Sequence, residues 1–463
     1  MKSLKTLIFA GMILAFMTGC DDDEGNMPTS QNFTVTIENV VTPQPYFASG
    51  SFAVPVGQSN PAPLFPGDEY QITINAGPSV TPMDGGTRLS FATMFVQSND
   101  LFLAPDGAGI SLYNSNGNPV GGGAEVDVTN QVLLWDAGTE INDVTGSASQ
   151  KPQQAPMATD IGTDENGVVS RISGNSDGTN VLPAVSDVIQ VTVEHQGGTE
   201  FLVRMVNVSN GNTIATPAQG VGTTAAVPIS PGVFIVHTSD NPMFTEGEEA
   251  SEGIEDIAED GFFDVELERA ENSTGLIVPL SPGVWAVHDD GTNPLFNVNM
   301  PDFGEGLEAI AEDGAAATAA NSLVTKAGVS NSGMFNTPVG MTSPGAIGPG
   351  GSYTFSFTAS SGDRLSLATM MVQSNDWIYS FSENGIALFN GDNAVTGDVT
   401  SSLNLYDVGT EADEFPGAGL NQVIRQSSAD AGSADSNTNV RAVNSPPSNV
   451  PALSDVIRVT ISQ

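Results

Sequence analysis

The chain carries one long pattern twice, so its fold must be one that can be built twice. Leu89–Phe102 (LSFATMFVQSNDLF) is nearly repeated by Leu365–Ile378 (LSLATMMVQSNDWI), and Leu134–Glu140 (LWDAGTE) by Leu405–Glu411 (LYDVGTE). In each copy an apolar run stops at Ser-Asn-Asp and a second stops at Asp-x-Gly-Thr-Glu, since Asn, Asp and Gly favour turns over continued strand. Other landmarks recur in the same order. Phe33–Val40 matches Phe201–Val208, including Asn39 with Asn207, and Ser49–Gly57 matches Ser332–Gly340. Pro66–Ile72 matches Pro349–Phe355, and Pro183–Ile189 matches Pro451–Ile457. The repeated unit is a whole domain, longer than a solenoid repeat.

The local patterns are those of strands. Phe33–Val40 alternates apolar and polar residues, as a half-buried strand does. Leu89–Gln97 is mostly apolar with small residues, which suits a strand buried on both faces. Glu69–Ala76, Ile110–Tyr113, Val132–Trp135 and Val188–Val193 read as further strands, and polar residues 142–180 as a long loop. The 51 Gly and 29 Pro punctuate these runs as in turn-rich all-β proteins. The expectation is an all-β chain of two tandem antiparallel β-sandwiches, at 32–197 and 198–463. The second would carry a duplicated, partly helical insert at about 215–330. Within it Val227–His237 pairs with Val278–His288, and Gly253–Gly261 with Gly306–Gly314. Each half reads as a Pro-Gly turn, a strand, a loop and a short helix ended by Gly.

Charge narrows the function. Twelve Lys and Arg stand against 54 Asp and Glu, a formal net charge of −42. Phosphates would be repelled, so nucleic acid is excluded as a partner, while divalent cations and a solvated surface are compatible. Residues 1–20 read as a targeting segment: Lys2 and Lys5, then an apolar run from Leu7 to Met17 too short to span a bilayer. Met17-Thr18-Gly19-Cys20 resembles the lipobox of bacterial lipoproteins, which implies lipidation at Cys20 and a membrane attachment through the N-terminal lipid. Cys20 is the sole cysteine, so no intramolecular disulfide can form. Residues 21–31 form a polar tether. Its acidic start, Asp21 to Glu24, resembles the export signal of Bacteroidetes surface lipoproteins. The expected location is the outer membrane of a Gram-negative bacterium, lipid-anchored and facing the cell surface.

The duplicated turns each gather three acids: Asp100, Asp136 and Glu140 in the first copy, Asp376, Asp407 and Glu411 in the second. The four-residue spacing across Gly-Thr lets two acids face one pocket. Three converging carboxylates call for a cation, and Ca²⁺, which takes about 6–8 oxygens, is the best candidate. Asn99, Asn375, Asn142, Asp143, Asp413 and Glu414 are weaker candidates to complete the shell. Asp also caps turns without any metal.

These same residues carry a resemblance. Ser374-Asn-Asp-Trp-Ile378 with Tyr406-Asp-Val-Gly-Thr-Glu411 resembles the paired motifs of the spondin N-terminal domain family, named for the F-spondin extracellular matrix proteins. The resemblance implies a β-sandwich related to membrane-targeting calcium-binding domains. It implies that Asp376, Asp407 and Glu411, and likewise Asp100, Asp136 and Glu140, bind Ca²⁺. It also implies an extracellular adhesive module without catalytic activity. Here the third acid is Glu where animal members have Asp.

Nothing else in the sequence assembles an enzyme: there is no nucleophile elbow, and acids in threes at turns suit a cation better than a glycosidic bond. His237 and His288 end equivalent strands and could meet Glu259, Asp260, Glu312 and Asp313, although locally satisfied histidines are the simpler reading; His195 stands apart. Trp135, Trp377 and Tyr379 beside the acidic turns either meet a sugar or lipid or pack the sandwich end. The expected function is calcium-dependent adhesion or matrix binding, with an extracellular matrix, glycan or surface-protein ligand. The alternative is a carbohydrate-binding surface lipoprotein for glycan capture.

Overall fold

The computed structural model describes residues 30–77, 87–155 and 157–463. The expected leader, Cys20 and the first part of the tether lie outside the described residues. Strand occupies 35% and helix 12%, so the chain is all-β as expected. In chain order the main elements are β1 (Ser30–Asn39), β2 (Tyr46–Phe52), β3 (Glu69–Asn75), β4 (Arg88–Phe95), β5 (Leu101–Pro105), β6 (Val126–Asp127), β7 (Val132–Asp136), β8 (Ser170–Arg171), β9 (Ile189–Gly197), β10 (Glu200–Asn207) and β11 (Ile229–His237). Helices α1 (Glu252–Asp260) and α2 (Asp264–Asn272) follow, then β12 (Leu280–His288), α3 (Leu307–Asp313) and α4 (Ala317–Val324). The chain ends with β13 (Val329–Phe335), β14 (Ser352–Ser360), β15 (Arg364–Met371), β16 (Trp377–Ser380), β17 (Gly397–Asp398), β18 (Asn404–Asp407), β19 (Arg441–Ala442) and β20 (Ile457–Ser462).

The strands form two antiparallel sandwiches of matching order. In the first, sheet β3–β10–β9–β6 faces sheet β2–β11–β4–β5–β7–β8 across a core that includes Tyr70, Phe91 and Phe201. In the second, β14–β1–β20–β17 faces β13–β12–β15–β16–β18–β19 across Phe33, Tyr353 and Leu367. A helix pair covers the outer face of the larger sheet in each, α1 through Ile254 and Ile257 with α2 through Ala270, and α3 through Leu307 and Ile310 with α4 through Leu323. This third layer explains why Leu89 to Phe95 is buried on both faces. Each sandwich shields one sheet face with the other sheet and the other face with helices.

The division of the chain between sandwiches differs from the linear one expected at 197/198. That cut falls inside a hairpin: β9 and β10 pair from Ile189↔Asn207 to Gly197↔Glu200, with two residues between them. A turn this short keeps its strands in one sheet. Gly197 and Gly198, at φ 123° and 52°, supply the backbone it needs. Strand β10 therefore stays in the first sandwich. Its counterpart β1, first in the chain, lies between β14 and β20 of the second.

The 215–330 segment is likewise not an insert on one sandwich. Its first half places β11 between β2 and β4, and its second half places β12 between β13 and β15. Each half thus completes one sandwich. Without it two strand edges would stay unpaired inside a sheet. The first sandwich is the continuous stretch 46–272, and the second is 280–463 closed by β1.

Two linkers, 40–45 and 273–279, cross between the sandwiches. Buried asparagines hold the strand ends in equivalent ways. Asn39 Nδ2 donates to the carbonyls of Val278 (2.8 Å) and Ile347 (3.2 Å). Asn207 Nδ2 donates to those of Leu64 and Val227, both at 2.9 Å.

The repeated Ser-Pro-Gly is a bulge within each central strand, not the turn expected from Pro-Gly. Pairing of β11 with β4 shifts between Ile229 and Gly232, and of β12 with β15 between Leu280 and Gly283. Ser230 and Ser281 Oγ accept the amides of Met94 and Met370 at 2.9 Å and so replace ladder bonds that the prolines cannot make. Side chains at Gly232 or Gly283 would meet the carbonyls of Ala92 or Ala368 at 2.1 Å. The expected glycine stops of α1 and α3 are present: Gly261 and Gly314 take φ 69° and 65°.

Candidate cation sites

Register brings the two acidic motifs of each copy together. Ser98 Oγ donates to Phe95 O (2.6 Å) and accepts from Leu101 N (3.1 Å), closing the turn that carries Asp100 between β4 and β5. Ser374 makes the same two bonds to Met371 and Trp377. Leu101, the next residue after Asp100, lies opposite Asp136 in the β5–β7 ladder, and Trp377 lies opposite Asp407. Two acids distant in sequence are neighbours because antiparallel pairing places a turn beside a strand end.

The Asp-x-Gly-Thr-Glu turn then wraps the first acid. Asp136 Oδ1 accepts from Gly138 N and Asp407 Oδ1 from Gly409 N, each at 2.8 Å. The amides that follow point back at the partner acid. Thr139 N and Glu140 N donate to Asp100 Oδ2 at 2.9 and 3.1 Å, and Thr410 N and Glu411 N to Asp376 Oδ2 at 2.7 and 3.2 Å. Asp100 and Asp376 are both 0% exposed, and the Oδ1 of each has no hydrogen-bond partner. A buried carboxylate oxygen left without a donor is costly unless something positive meets it.

In the second sandwich, carboxylate oxygens of Asp376, Asp407 and Asp413 all lie within 4.8 Å of one another. Asp413, a weaker candidate from sequence, stands where Glu411 was expected. Its other task is to accept from Trp377 Nε1 at 2.7 Å. Glu411 instead accepts Gly432 N at 2.7 Å and Asn375 Nδ2 at 3.3 Å. Glu140 is held alike by Gly162 N (2.6 Å) and Asn99 Nδ2 (3.0 Å). A side chain at Gly162 would come within 2.0 Å of the Glu140 carboxylate, and at Gly432 within 2.4 Å of Glu411. The two glutamates thus clamp a distant loop, which their longer side chains reach. In the first sandwich the position of Asp413 belongs to Asn142, whose Nδ2 donates to Asp136 Oδ2 at 2.8 Å.

A second exchange accompanies the first. Arg441, opposite Asp407 in the β18–β19 ladder, contacts the Asp407 carboxylate and lies 2.6 Å from that of Asp435. Opposite Asp136 stands Ser170. Asp376, Asp407, Asp413 and Arg441 sum to −2, and so do Asp100, Asp136, Asn142 and Ser170.

Burial sets the electrostatics. It pushes Asp100 up to about 7, with Asp136 adding repulsion, and Asp376 up to about 6. Asp407 rises to about 7 through burial and the nearby Asp376 and Asp413, despite Arg441. Burial also raises Asp136 and Asp413. Such sites gain from a cation because it removes both the desolvation cost and the mutual repulsion.

The acids of the two Ala-Glu-Asp-Gly motifs find their place here. Glu259 of α1 groups with Glu140 and Asp160 within 4.8 Å. Burial lifts Glu259 and its counterpart Glu312 to about 8. Both helices thus end against the acidic turns. Asn99 and Asn375 orient the following loops by accepting the amides of Asp143 (2.9 Å) and Glu414 (3.0 Å).

The histidines are satisfied locally. Nε2 of His237 meets Ser90 Oγ and that of His288 meets Ser366 Oγ, each at 2.9 Å, and neither joins an acidic group. Trp135, Trp377 and Tyr379 are buried, but Trp377 also borders the cleft beside Asp407 and Asp413. Arg441 has no counterpart in the repeat to mark it, since Ser170, opposite Asp136, is neutral. Among the described residues no helix is long and apolar enough to cross a membrane. No family model matches this sequence, and no curated protein matches it.

Proposed function

We propose that each sandwich binds a divalent cation, Ca²⁺ being the best fit, and that the chain is a spondin-like adhesive protein displayed outside the cell. The observation that carries this reading is the pair of fully buried aspartates, Asp100 and Asp376, each with one oxygen that no donor meets. Asp376 adds two further carboxylates within 4.8 Å. Oxygen donors alone, several of them charged, suit a hard cation such as Ca²⁺. In the first sandwich Asp100, Asp136 and the amide oxygen of Asn142, turned inward, would be the protein ligands. In the second they are Asp376, Asp407 and Asp413. The cation neutralises the sandwich end and orders its loops, leaving a surface for a matrix or surface-protein ligand. Affinity on the order of 10⁻⁴–10⁻³ M is expected, as in many extracellular modules. Lipid attachment at Cys20 would hold this surface at the outer membrane.

Calorimetry with Ca²⁺ tests the reading. Two sites are expected in the parent and one each in Asp100→Ala and Asp376→Ala; the same isotherm from all three proteins refutes it. A glycan ligand is the second reading, favoured by a cleft of about 460 Å³ beside Asp407 and Asp413 that Phe415, Asn444 and Ser445 also line. A glycan array with and without Ca²⁺ separates the two.

A further inference from the structure

We propose that a cation held by Asp376, Asp407 and Asp413 locks the two sandwiches to each other, whereas one at Asp100 and Asp136 acts within its own sandwich. This rests on the cation reading above and adds a regulated joint to it.

The argument starts from where each site's loop goes. In the second sandwich the chain after Asp413 runs onto the first. Phe415 sets its ring 6.1 Å from that of Phe47 in β2. Gly417 N donates to Gln373 O at 2.8 Å, and Gln373 Oε1 in turn accepts from Val278 N of the crossing linker at 2.8 Å. A side chain at Gly417 would strike Leu276 of that linker at 2.5 Å and Phe47 at 3.3 Å. Farther along, Arg425 comes near Tyr113 of the first sandwich. The cleft beside Asp407 and Asp413 is completed by Glu200, from β10 of the first sandwich.

The equivalent loop of the first sandwich turns home instead. Thr145 O accepts from Ala218 N at 3.3 Å. A side chain at Gly146 would touch Thr216 at 3.0 Å. Lys151 pairs with Asp260 at 3.4 Å and lies over the Phe262 ring. All of these partners lie within 46–272.

Asp413 is two residues from Phe415. Without a cation, Asp413 meets Asp376 and Asp407 as like charges, and any relief of that repulsion moves the loop that also carries Phe415 against Phe47. A cation reverses the sign. Occupancy and the joint between sandwiches are therefore coupled, and by linkage each strengthens the other.

Hydrogen exchange on the full chain, with and without saturating Ca²⁺, reads this directly, with calorimetry in parallel. In the parent and in Asp136→Asn, Ca²⁺ is expected to slow exchange at 411–426 and also at β2 and the 197–200 hairpin of the first sandwich. Asp413→Asn should need about tenfold more Ca²⁺ to reach either effect. Phe415→Ala should still take up Ca²⁺ at the second site, about fivefold more weakly, while protection stops at the loop. If Ca²⁺ binds the parent and protection never reaches β2 or the hairpin, the joint is refuted and the cation site stands. If the parent takes up no Ca²⁺, both fall.

Discussion

The Arg441 guanidinium lies against the Asp407 carboxylate, at the place where the first sandwich sets Ser170 opposite Asp136. Together with the change from Asn142 to Asp413, this leaves both sites with the same formal charge. The two halves of the exchange act in opposite directions on a bound cation. Arg441→Ser should strengthen Ca²⁺ binding at the second site by about tenfold, a difference of about 1.4 kcal/mol. Asp413→Asn should weaken it comparably, and the double variant should return to near the parent. Calorimetry in an Asp100→Ala background isolates this site. Weaker binding in Arg441→Ser would show that Arg441 supports the site instead of opposing the cation.

The buried acids make stability depend on pH in an unusual direction. Burial raises Asp100 and Asp407 to about 7, Asp376 to about 6, and Glu259 and Glu312 to about 8, all above their ordinary values of 3.8 and 4.5. Between pH 4 and 8, then, the folded chain holds protons that the unfolded chain has released. Stability without metal is therefore greatest on the acid side and falls as pH rises through 6 to 8. Ca²⁺ should flatten this slope, and its affinity should rise over the same range as protons cease to compete. Thermal melts at pH 5, 6.5 and 8, with Ca²⁺ or a chelator, measure both trends. A metal-free protein that gains stability from pH 5 to 8 contradicts the electrostatic account.

Asn39 and Asn207 each satisfy two carbonyls of segments distant in sequence. Alanine at either position leaves those carbonyls buried and unpaired, at about 1–3 kcal/mol each. Urea denaturation should show a lower midpoint for both variants. A loss below about 0.5 kcal/mol would mean that water takes over the asparagine's bonds.

Gly232 and Gly283 sit where a side chain meets a backbone carbonyl at 2.1 Å. Gly283→Ala forces β12 away from β15 and should cost about 1–3 kcal/mol or more. Gly340→Ala is a useful comparison because nothing lies within 4 Å of it, leaving only the strain of its φ of +83°. The ranking of the two melting points is the check: Gly283→Ala should melt lower.

Glu140 and Glu411 were read from sequence as cation ligands, and both are held by a loop glycine and an asparagine. Glu140→Gln should therefore change Ca²⁺ affinity less than threefold, where Asp136→Asn costs tenfold or more. Proteolysis within 160–165 should speed up instead. Equal losses in calorimetry would return Glu140 to the ligand set.

Much of the fold was legible because strand periodicity, turn residues and the helix-stopping glycines are local signals. The double burial of Leu89–Phe95 was visible in its apolar run, and the pairing of Asp100 with Asp136 in the repeat itself. The Gly197-Gly198 turn is also a local signal, and it outweighs the repeat boundary because so short a turn keeps β9 and β10 in one sheet. The duplicated Val227–His237 and Val278–His288 are visible as copies, but nothing local says which sheet a central strand enters.

From the sequence alone came the all-β class, the twofold repetition and the acidic turns, since each depends on residues near one another in the chain. Only the tertiary structure decided that β1 closes the far sandwich, that Asp413 replaces Glu411 beside Asp376, and that Arg441 answers Asp407. The reason is physical: which edges pair and which oxygens share a space depend on how segments hundreds of residues apart bury their apolar faces together, and that competition has no local signature.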